Sequence, residues 1–173
     1  DDLPLECVAL VSCGVATGFG SAVERAGTQV GDTVVVVGIG GIGINAVQGA
    51  RLAGAKRVIA VDPVEFKREK AMELGATHTF ASMAEAIQPV TEMTWGQMAD
   101  KVIMTPGVMY GDLMAEANML TGKGGTMVVT AVAPITSMPR EWQMLASPAG
   151  RAASVTKVWI WLIWAIRTGA LRR

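Results

Sequence analysis

The segment Thr33-Val-Val-Val-Val-Gly-Ile-Gly-Gly-Ile-Gly43 specifies the architecture of this chain more than any other. Its β-branched opening has no polar alternation, as expected for a strand that is covered on both faces of a parallel sheet. A G-x-G-x-x-G pattern follows, and a helix is predicted over Ile42–Ala53, ending near Gly54. A strand, a glycine turn and a helix in this order predict the first half of a βαβ unit.

Short strands continue to alternate with helices further along the chain. The predicted later strands are Arg57–Val61, Thr77–Phe80, Lys101–Met104 and Thr126–Val132, and the predicted later helices are Val64–Leu74, Met83–Gln88 and Leu113–Leu120. This alternation predicts an α/β fold with a Rossmann-type doubly wound parallel sheet.

The segment before the first strand has helical apolar spacing. Leu3–Ala26 is predicted to form two short helices, because Gly14 and Gly18 interrupt the pattern. The chain is therefore divided into a helical lead-in, a dinucleotide-binding Rossmann domain that we expect to be truncated, and an atypical tail. These parts span residues 1–28, 29–139 and 140–173.

Each residue of the glycine turn has a physical task in dinucleotide binding. Gly38 permits the tight turn, Gly40 lets the backbone approach a pyrophosphate, and Gly43 allows the helix to pack closely on the strand. The N–H groups of Gly41 and Ile42 then face the phosphates at a helix N-terminus, where the dipole favours anions. A glycine turn that merely links a strand to a helix is the weaker interpretation, because of the acidic residue that follows.

That acidic residue is Asp62, which follows the second predicted strand and lies 19 residues after Gly43. The dinucleotide-binding fingerprint has an Asp or Glu about 20 residues on, which accepts hydrogen bonds from a ribose diol. A carboxylate there also repels a 2′-phosphate, so the sequence favours NAD over NADP. Lys67 and Arg68 are candidates to hold the ribose or a phosphate. A solvated charged face is an equally good interpretation of them, since Glu65, Glu69 and Lys70 are nearby.

Composition excludes several functional classes. Hydrophobic residues make up 51% of the 173 residues, which excludes a disordered chain. Fifteen basic and fifteen acidic residues cancel, so no nucleic-acid partner is expected. Two cysteines, Cys7 and Cys13, are too few for a disulfide framework and predict a reducing, cytoplasmic location.

The tail differs from the rest of the chain in charge and composition. Residues 1–139 carry a net charge of −5, whereas residues 140–173 carry +5. The apolar run Val158–Ile166 holds three of the five Trp and is too short to span a membrane, which takes about twenty residues. We favour a frame-shifted or mis-assembled end with no selected role. A buried strand or helix comes next, and a membrane-surface helix last.

Several of these motifs together resemble a known family. Cys13-Gly-Val-Ala-Thr-Gly-Phe-Gly20 and the glycine turn resemble the zinc-containing medium-chain alcohol dehydrogenases. Ala60-Val-Asp-Pro-Val-Glu-Phe-Lys-Arg-Glu-Lys70, Leu74-Gly-Ala-Thr-His78 and Thr94-Trp-Gly-Gln97 are similar to the branch that depends on N,N-dimethyl-4-nitrosoaniline. Members of that branch hold their nicotinamide cofactor tightly. The resemblance covers about residues 3–135.

The resemblance implies roles for residues at matching positions. It makes Cys13 a ligand of the catalytic zinc and places Thr17 near the nicotinamide ring, although a Cys in an apolar helical stretch is by itself more often a small buried hydrophobe. It places Lys67 near the adenosine ribose. It also implies that the backbone of Thr130-Ala131-Val132 meets the cofactor carboxamide.

The resemblance also implies what this chain does not supply. The family's catalytic domain, with the other zinc ligands, would lie before Asp1, so we expect a partial chain that is inactive and cannot hold a catalytic zinc by itself. His78 occupies a packing position in the family and is not counted as a ligand. The cofactors implied for the parent enzyme are NAD and zinc.

The expected function is therefore cofactor binding within a zinc-dependent oxidoreductase. The parent enzyme would transfer a hydride between an alcohol or aldehyde and NAD, and we expect it to be a homo-oligomer. Two alternatives stay open at this point: a zinc-independent reductase of the same superfamily, and a non-catalytic NAD-binding module. An interaction or membrane-associated protein that acts through its tail is a third, weaker alternative.

Overall fold

A single parallel sheet organises the part of the chain that the computed structural model describes, residues 5–108 and 110–130. Its strands are β1 (Thr33–Val37), β2 (Arg57–Val61), β3 (His78–Phe80), β4 (Ala99–Met104) and β5 (Thr121–Val129). They lie in the order β3-β2-β1-β4-β5, and all neighbours pair in parallel. This is the order of the first five strands in a Rossmann sheet.

Helices cover both faces of the sheet. They are α1 (Leu5–Leu10), α2 (Ala16–Gly20), α3 (Gly41–Leu52), α4 (Glu65–Glu73), α5 (Met83–Met93) and α6 (Gly111–Leu120), with π-helical segments over Val11–Val15 and Ser21–Arg25. Val34 and Val36 of β1 pack with α3, whereas Val35 and Val37 pack with α5 and α6. All five residues of β1 are buried, as the unbroken β-branched run predicts.

The predicted fold class is confirmed, and the element bounds differ in identifiable places. β1 and β2 have the predicted bounds. Helix α5 continues past its predicted end at Gln88, because Pro89 is accommodated inside it and Val90 extends its buried face. β5 begins at Thr121 and ends at Val129, although the prediction was Thr126–Val132. Its Gly-rich start pairs with β4 across a register shift between Ala99 and Lys101 instead of forming a turn.

The lead-in was predicted wrongly as two separate helices. The structure has one continuous helical run from Leu5 to Arg25, in which α and π segments alternate. Gly14 and Gly18 do not break it, because they are points of close contact with α3. A Cβ on Gly18 would overlap the Ile42 carbonyl oxygen, and a Cβ on Gly14 would lie 3.4 Å from the Gly41 oxygen. These glycines therefore let two helix backbones approach each other at the start of α3.

Among the described residues, no helix has the length and apolar content needed to cross a bilayer. The tail predicted over residues 140–173, with its run Val158–Ile166, lies outside the described residues.

Candidate cofactor site

The carboxyl ends of four strands meet where the strand order changes direction. β1 lies between β2 and β4, so a crevice is expected outside the carboxyl ends of β1 and β4. The residues that follow the strands are tied to neighbouring strands through their backbones. The N–H of Gly38 donates to Val61 (2.8 Å), that of Thr105 to Val37 (2.8 Å) and that of Thr130 to Met104 (2.9 Å). The carboxyl ends of neighbouring strands are thus joined by backbone hydrogen bonds just beyond the strands.

Gly38 and Gly43, which we call the inner glycines, are packed against protein on the side where a Cβ would stand. Gly38 has φ +87°, and a Cβ on it would lie 2.9 Å from the Pro106 nitrogen. A Cβ on Gly43 would overlap the Gly38 carbonyl oxygen and lie 2.8 Å from the Thr105 hydroxyl. The tight turn and the close helix–strand packing predicted for these two residues are both present.

Gly40 and Gly41, which we call the outer glycines, are exposed and face open space. A Cβ on either would meet no protein atom within 4 Å among the residues that the structure describes. Helix α3 begins at Gly41, and the Ile44 N–H donates to the Gly40 carbonyl (2.9 Å). The N–H groups of Gly41 and Ile42 belong to the first turn, where helix donors lack intrahelical acceptors. An anion can therefore approach this backbone closely.

Asp62 is buried at the end of β2, with 4% of its surface exposed. Its Oδ2 accepts the Ile39 N–H (2.8 Å), and its Oδ1 accepts the Val64 N–H (2.9 Å). The carboxylate thus joins the middle of the glycine turn to the start of α4. A carboxylate has about four acceptor sites, so it can bond both backbone groups and a ligand hydroxyl.

Lys67 and Arg68 both contact Asp62 or the backbone beside it, which favours the first of the two interpretations over a charged face paired only with solvent, although 42% of the Lys67 side chain is exposed. The Lys67 ammonium lies 3.4 Å from Asp62 Oδ2. The Arg68 guanidinium donates to the backbone carbonyls of Asp62 (2.8 Å) and Pro63 (2.9 Å). Of the neighbouring charges, Lys70 pairs with Glu73 at the outside of the helix. A contact of Lys67 with a ribose stays a prediction.

Cys13 and Thr17 stand on the lead-in helix beside the start of α3. Cys13 is an exposed free thiol in the π-helical segment Val11–Val15, which disagrees with a small buried hydrophobe. Thr17 is half-buried four residues later, on the same face of the helical run. Gly14 and Gly18, between and after them, make the close contacts with α3 that fix this placement.

The residues that follow β4 and β5 lie on the other side of β1 from Asp62. Both the N–H and the hydroxyl of Thr130 donate to the Met104 carbonyl (2.9 and 3.1 Å), and Val132 lies outside the described residues. The carboxamide contact therefore stays a prediction. Thr105, which the sequence reasoning missed, donates its hydroxyl to the Gly38 (2.5 Å) and Val37 (3.1 Å) carbonyls. Its only signal was a polar residue directly after an apolar strand.

The described residues fit the two implied cofactors unequally. Open outer glycines, a helix N-terminus and a buried carboxylate match the pyrophosphate and ribose of a dinucleotide. A catalytic zinc needs three protein ligands, and residues 5–108 and 110–130 contain no cluster of three His, Cys, Asp or Glu side chains suited to a metal. A role of Cys13 as a zinc ligand stays a prediction. His78 begins the edge strand β3 and contacts the Thr77 hydroxyl (2.9 Å).

The strand order, the glycine turn and the acidic residue after β2 define a Rossmann domain of the dinucleotide-binding class. The match to a family model is more specific. The zinc-binding dehydrogenase model matches residues 41–159, which is most of the chain, and the chain belongs to that family.

Curated relatives support the same assignment. The chain is 60% identical over 133 residues to an alcohol dehydrogenase of Amycolatopsis methanolica that is named as NDMA-dependent. It is 51% identical over 133 residues to a putative alcohol dehydrogenase D of Mycobacterium tuberculosis. Each match covers 77% of this chain and 36% of the relative, so the chain spans about a third of their length. The predicted resemblance to the nitrosoaniline-dependent branch is confirmed.

Solved structures share the fold. An alcohol dehydrogenase of Thermotoga maritima has a TM-score of 0.71 at 28% identity, over 83% of this chain and 41% of the other. A zinc-binding domain protein of the alcohol dehydrogenase type from Burkholderia ambifaria has a TM-score of 0.72 at 26% identity, over 98% and 47%. These likenesses do not favour the zinc-independent reductase or the non-catalytic module.

Proposed function

We propose that this chain is the cofactor-binding portion of a zinc-dependent alcohol dehydrogenase that transfers a hydride between an alcohol or aldehyde and NAD. The observation that carries the proposal is the pairing of open outer glycines with a buried carboxylate at the carboxyl ends of β1 and β2. The names of the relatives support the reaction class, and the family supports the use of NAD and zinc.

The pyrophosphate of NAD binds at the start of α3. Gly40 and Gly41 leave room for its oxygens, and the N–H groups of Gly41 and Ile42 donate to them with the helix dipole in the favourable direction. Any side chain on Gly40 would occupy that space. This is the physical reason for glycine at a position where the protein itself makes no close contact.

The adenosine ribose binds at Asp62, whose carboxylate accepts a hydrogen bond from the diol. Lys67 makes the longest of the three recorded contacts of this carboxylate, at 3.4 Å, so it is the contact that a ribose hydroxyl can share or replace. A 2′-phosphate would meet a buried negative charge, so NADP is disfavoured. The carboxylate of Asp62 is thus the group that discriminates between the two cofactors.

The lead-in helix would lie beside the reacting end of the cofactor. NAD⁺ would supply a hydride acceptor there, and a zinc ion would supply Lewis acidity for the substrate oxygen. In this proposal Cys13 is one zinc ligand and Thr17, one helical turn on, packs near the nicotinamide. The remaining ligands come from outside the described residues. Cytoplasmic location and a homo-oligomeric parent enzyme are parts of the same proposal.

The test is calorimetric titration of the purified chain with NAD⁺ and NADP⁺, repeated with Asp62→Asn and Asp100→Asn. The two aspartates are matched, since each accepts a backbone N–H of β1 or its turn at 2.8 Å, but at opposite edges of the sheet. We expect NAD⁺ to be preferred, the preference to be lost in Asp62→Asn, and no change of preference in Asp100→Asn.

Two results would overturn the proposal. A chain that is folded by circular dichroism and binds neither nucleotide would exclude the assigned site. An unchanged preference in Asp62→Asn would show that the carboxylate does not select the cofactor, even if NAD⁺ binds.

A further inference from the structure

Arg68 of α4 uses its guanidinium to bind backbone carbonyls. It is the fourth residue of the helix and is half-buried. One guanidinium nitrogen, Nη1, donates to the carbonyls of Asp62 (2.8 Å) and Pro63 (2.9 Å). These carbonyls belong to the backbone that leaves β2 and turns into α4. The guanidinium thus bridges the carbonyls of two successive peptide groups after β2.

Arg68 and Lys67 act on different parts of Asp62. Lys67 touches the side-chain oxygen Oδ2, which a ribose hydroxyl would also approach. Arg68 touches the main-chain oxygen and leaves the carboxylate to other donors. The carboxylate in turn accepts the Ile39 N–H at the centre of the glycine turn. A line of hydrogen bonds therefore runs from Arg68 through Asp62 to the glycine turn.

The direction of the Asp62 carboxylate depends on its backbone. Pro63 has no N–H, so this residue cannot contribute a backbone donor to secure the turn after β2. Two bonds from a charged donor replace that anchorage, and charge-assisted bonds are the stronger kind. Without them Asp62 keeps the bond from its N–H to the Phe80 carbonyl (3.2 Å) and the two N–H donors to its carboxylate, but its own carbonyl loses a charged partner, so we expect the carboxylate to shift.

We propose that Arg68 is a positioning residue that sets the preference for NAD over NADP by fixing the backbone of Asp62. This inference rests on the proposed binding of NAD at the glycine turn. Arg68 acts through Asp62 and does not itself touch the cofactor. It therefore affects ribose recognition more than pyrophosphate binding.

A competing role for Arg68 predicts the opposite change in cofactor preference when Arg68 is removed. A cation near the ribose could instead attract a 2′-phosphate directly, as arginines do in NADP-binding sites. Removing such a cation would weaken NADP⁺ binding most and widen the preference for NAD⁺. Removing a positioning residue weakens NAD⁺ binding most and narrows that preference.

The experiment measures the Kd of NAD⁺ and NADP⁺ for the full chain and for Arg68→Ala, Arg68→Gln and Lys70→Ala. Arg68→Gln keeps an N–H donor without the charge. Lys70→Ala removes a cation from the outer side of the same helix, where it pairs with Glu73, and is the matched control. We expect Arg68→Ala to raise the Kd of NAD⁺ about tenfold with little change for NADP⁺.

The variants separate the possible outcomes. Arg68→Gln should keep most of the NAD⁺ preference, and Lys70→Ala should keep all of it. A wider preference in Arg68→Ala, or an equal rise of both Kd values, overturns the positioning role. If Arg68→Ala fails to fold, the Arg68→Gln variant provides the test. If Arg68→Gln reduces the preference for NAD⁺ over NADP⁺ as much as Asp62→Asn does, the hydrogen-bonding argument is contradicted. If the unsubstituted chain binds no NAD⁺, the proposed function fails, and this inference with it.

Discussion

The amino ends of the strands, which we call the amino edge of the sheet, and the carboxyl ends, which we call the carboxyl edge, have similar hydrogen bonds but different roles. At the amino edge, the carboxylate of Asp100 accepts the N–H of Thr33 (2.8 Å), and the N–H of Lys56 donates to the backbone carbonyl of Asp32 (2.9 Å). At the carboxyl edge, Asp62 accepts the N–H of Ile39 in the same way. Among the described residues, the carboxyl edge adds a helix N-terminus at which the outer glycines face open space.

The difference teaches that a cross-strand carboxylate is not by itself a sign of function. The amino edge also has a cavity of about 240 Å³, lined among others by Lys56, Trp95 and Asp100. What distinguishes the carboxyl edge is backbone donors that the fold brings together and leaves for a ligand. Substitutions of the groups that face the ligand at the carboxyl edge should therefore change NAD⁺ binding, and substitutions at the amino edge or of the inner glycines should change stability.

The largest expected effect tests the inner glycines. Gly43→Ala places a Cβ onto the Gly38 carbonyl oxygen, so helix and turn must separate. We expect the free energy of unfolding to fall by about 3 kcal/mol, as for a severe overpacking. Urea unfolding followed by circular dichroism measures it. A loss below about 0.5 kcal/mol, the range of ordinary surface substitutions, would show that the turn yields easily.

Gly40→Ala sharpens the contrast between inner and outer glycines. Its Cβ meets no described protein atom within 4 Å, but it stands where the pyrophosphate is proposed. We expect the Kd of NAD⁺ to rise about tenfold, which equals about 1.4 kcal/mol. The free energy of unfolding should change by less than about 0.5 kcal/mol. Unchanged binding by calorimetry would place the phosphates elsewhere.

Asp100→Ala tests the amino edge. It removes the acceptor of the Thr33 N–H, and Thr33 is 3% exposed. We expect stability to fall by about 1 kcal/mol because a backbone donor loses its partner. The Kd of NAD⁺ should stay the same, and a several-fold change in a folded variant would break the separation between the two edges.

The smallest expected effect also lies at the amino edge. Trp95 is 93% exposed and has φ +57°, a left-handed conformation that costs a non-glycine residue about 1–2 kcal/mol. Trp95→Gly relieves this strain, but glycine costs more conformational entropy on folding. We expect a net gain of about 0.5 kcal/mol. A thermal melt measures it, and a clear loss of stability would mean that the indole makes contacts that outweigh the strain.

The sequence predicted the parts of the site that depend on local pattern. The strand Thr33–Val37, the glycine turn and Asp62 follow from β-branched runs, glycine spacing and a residue count. The partners of Lys67 and Arg68 could not be predicted in this way, because ion pairs with nearby charged residues on α4 were equally plausible. Thr105 could not be predicted, because its hydrogen bond to the Gly38 carbonyl joins residues 67 positions apart.

The lead-in and β5 show why glycine is hard to interpret from sequence. The sequence pattern predicts that Gly14 and Gly18 interrupt a helix, but in space they are contacts of the lead-in helix with α3. The strand predicted from Thr126 likewise omits the glycines between Gly122 and Gly125, which lie within β5. In both places the partner that makes glycine useful lies elsewhere in the chain. Only the folded arrangement distinguishes a break from a close approach.

The central position of β1 has a consequence for the order of events during synthesis. β1 is complete at Val37, but its neighbour β4 ends at Met104. At roughly 10 residues per second, several seconds pass before that side of β1 is paired. During this interval an apolar valine strand presents an open edge, which favours aggregation. The nascent chain is therefore expected to need chaperone protection most while residues 38–104 are being made.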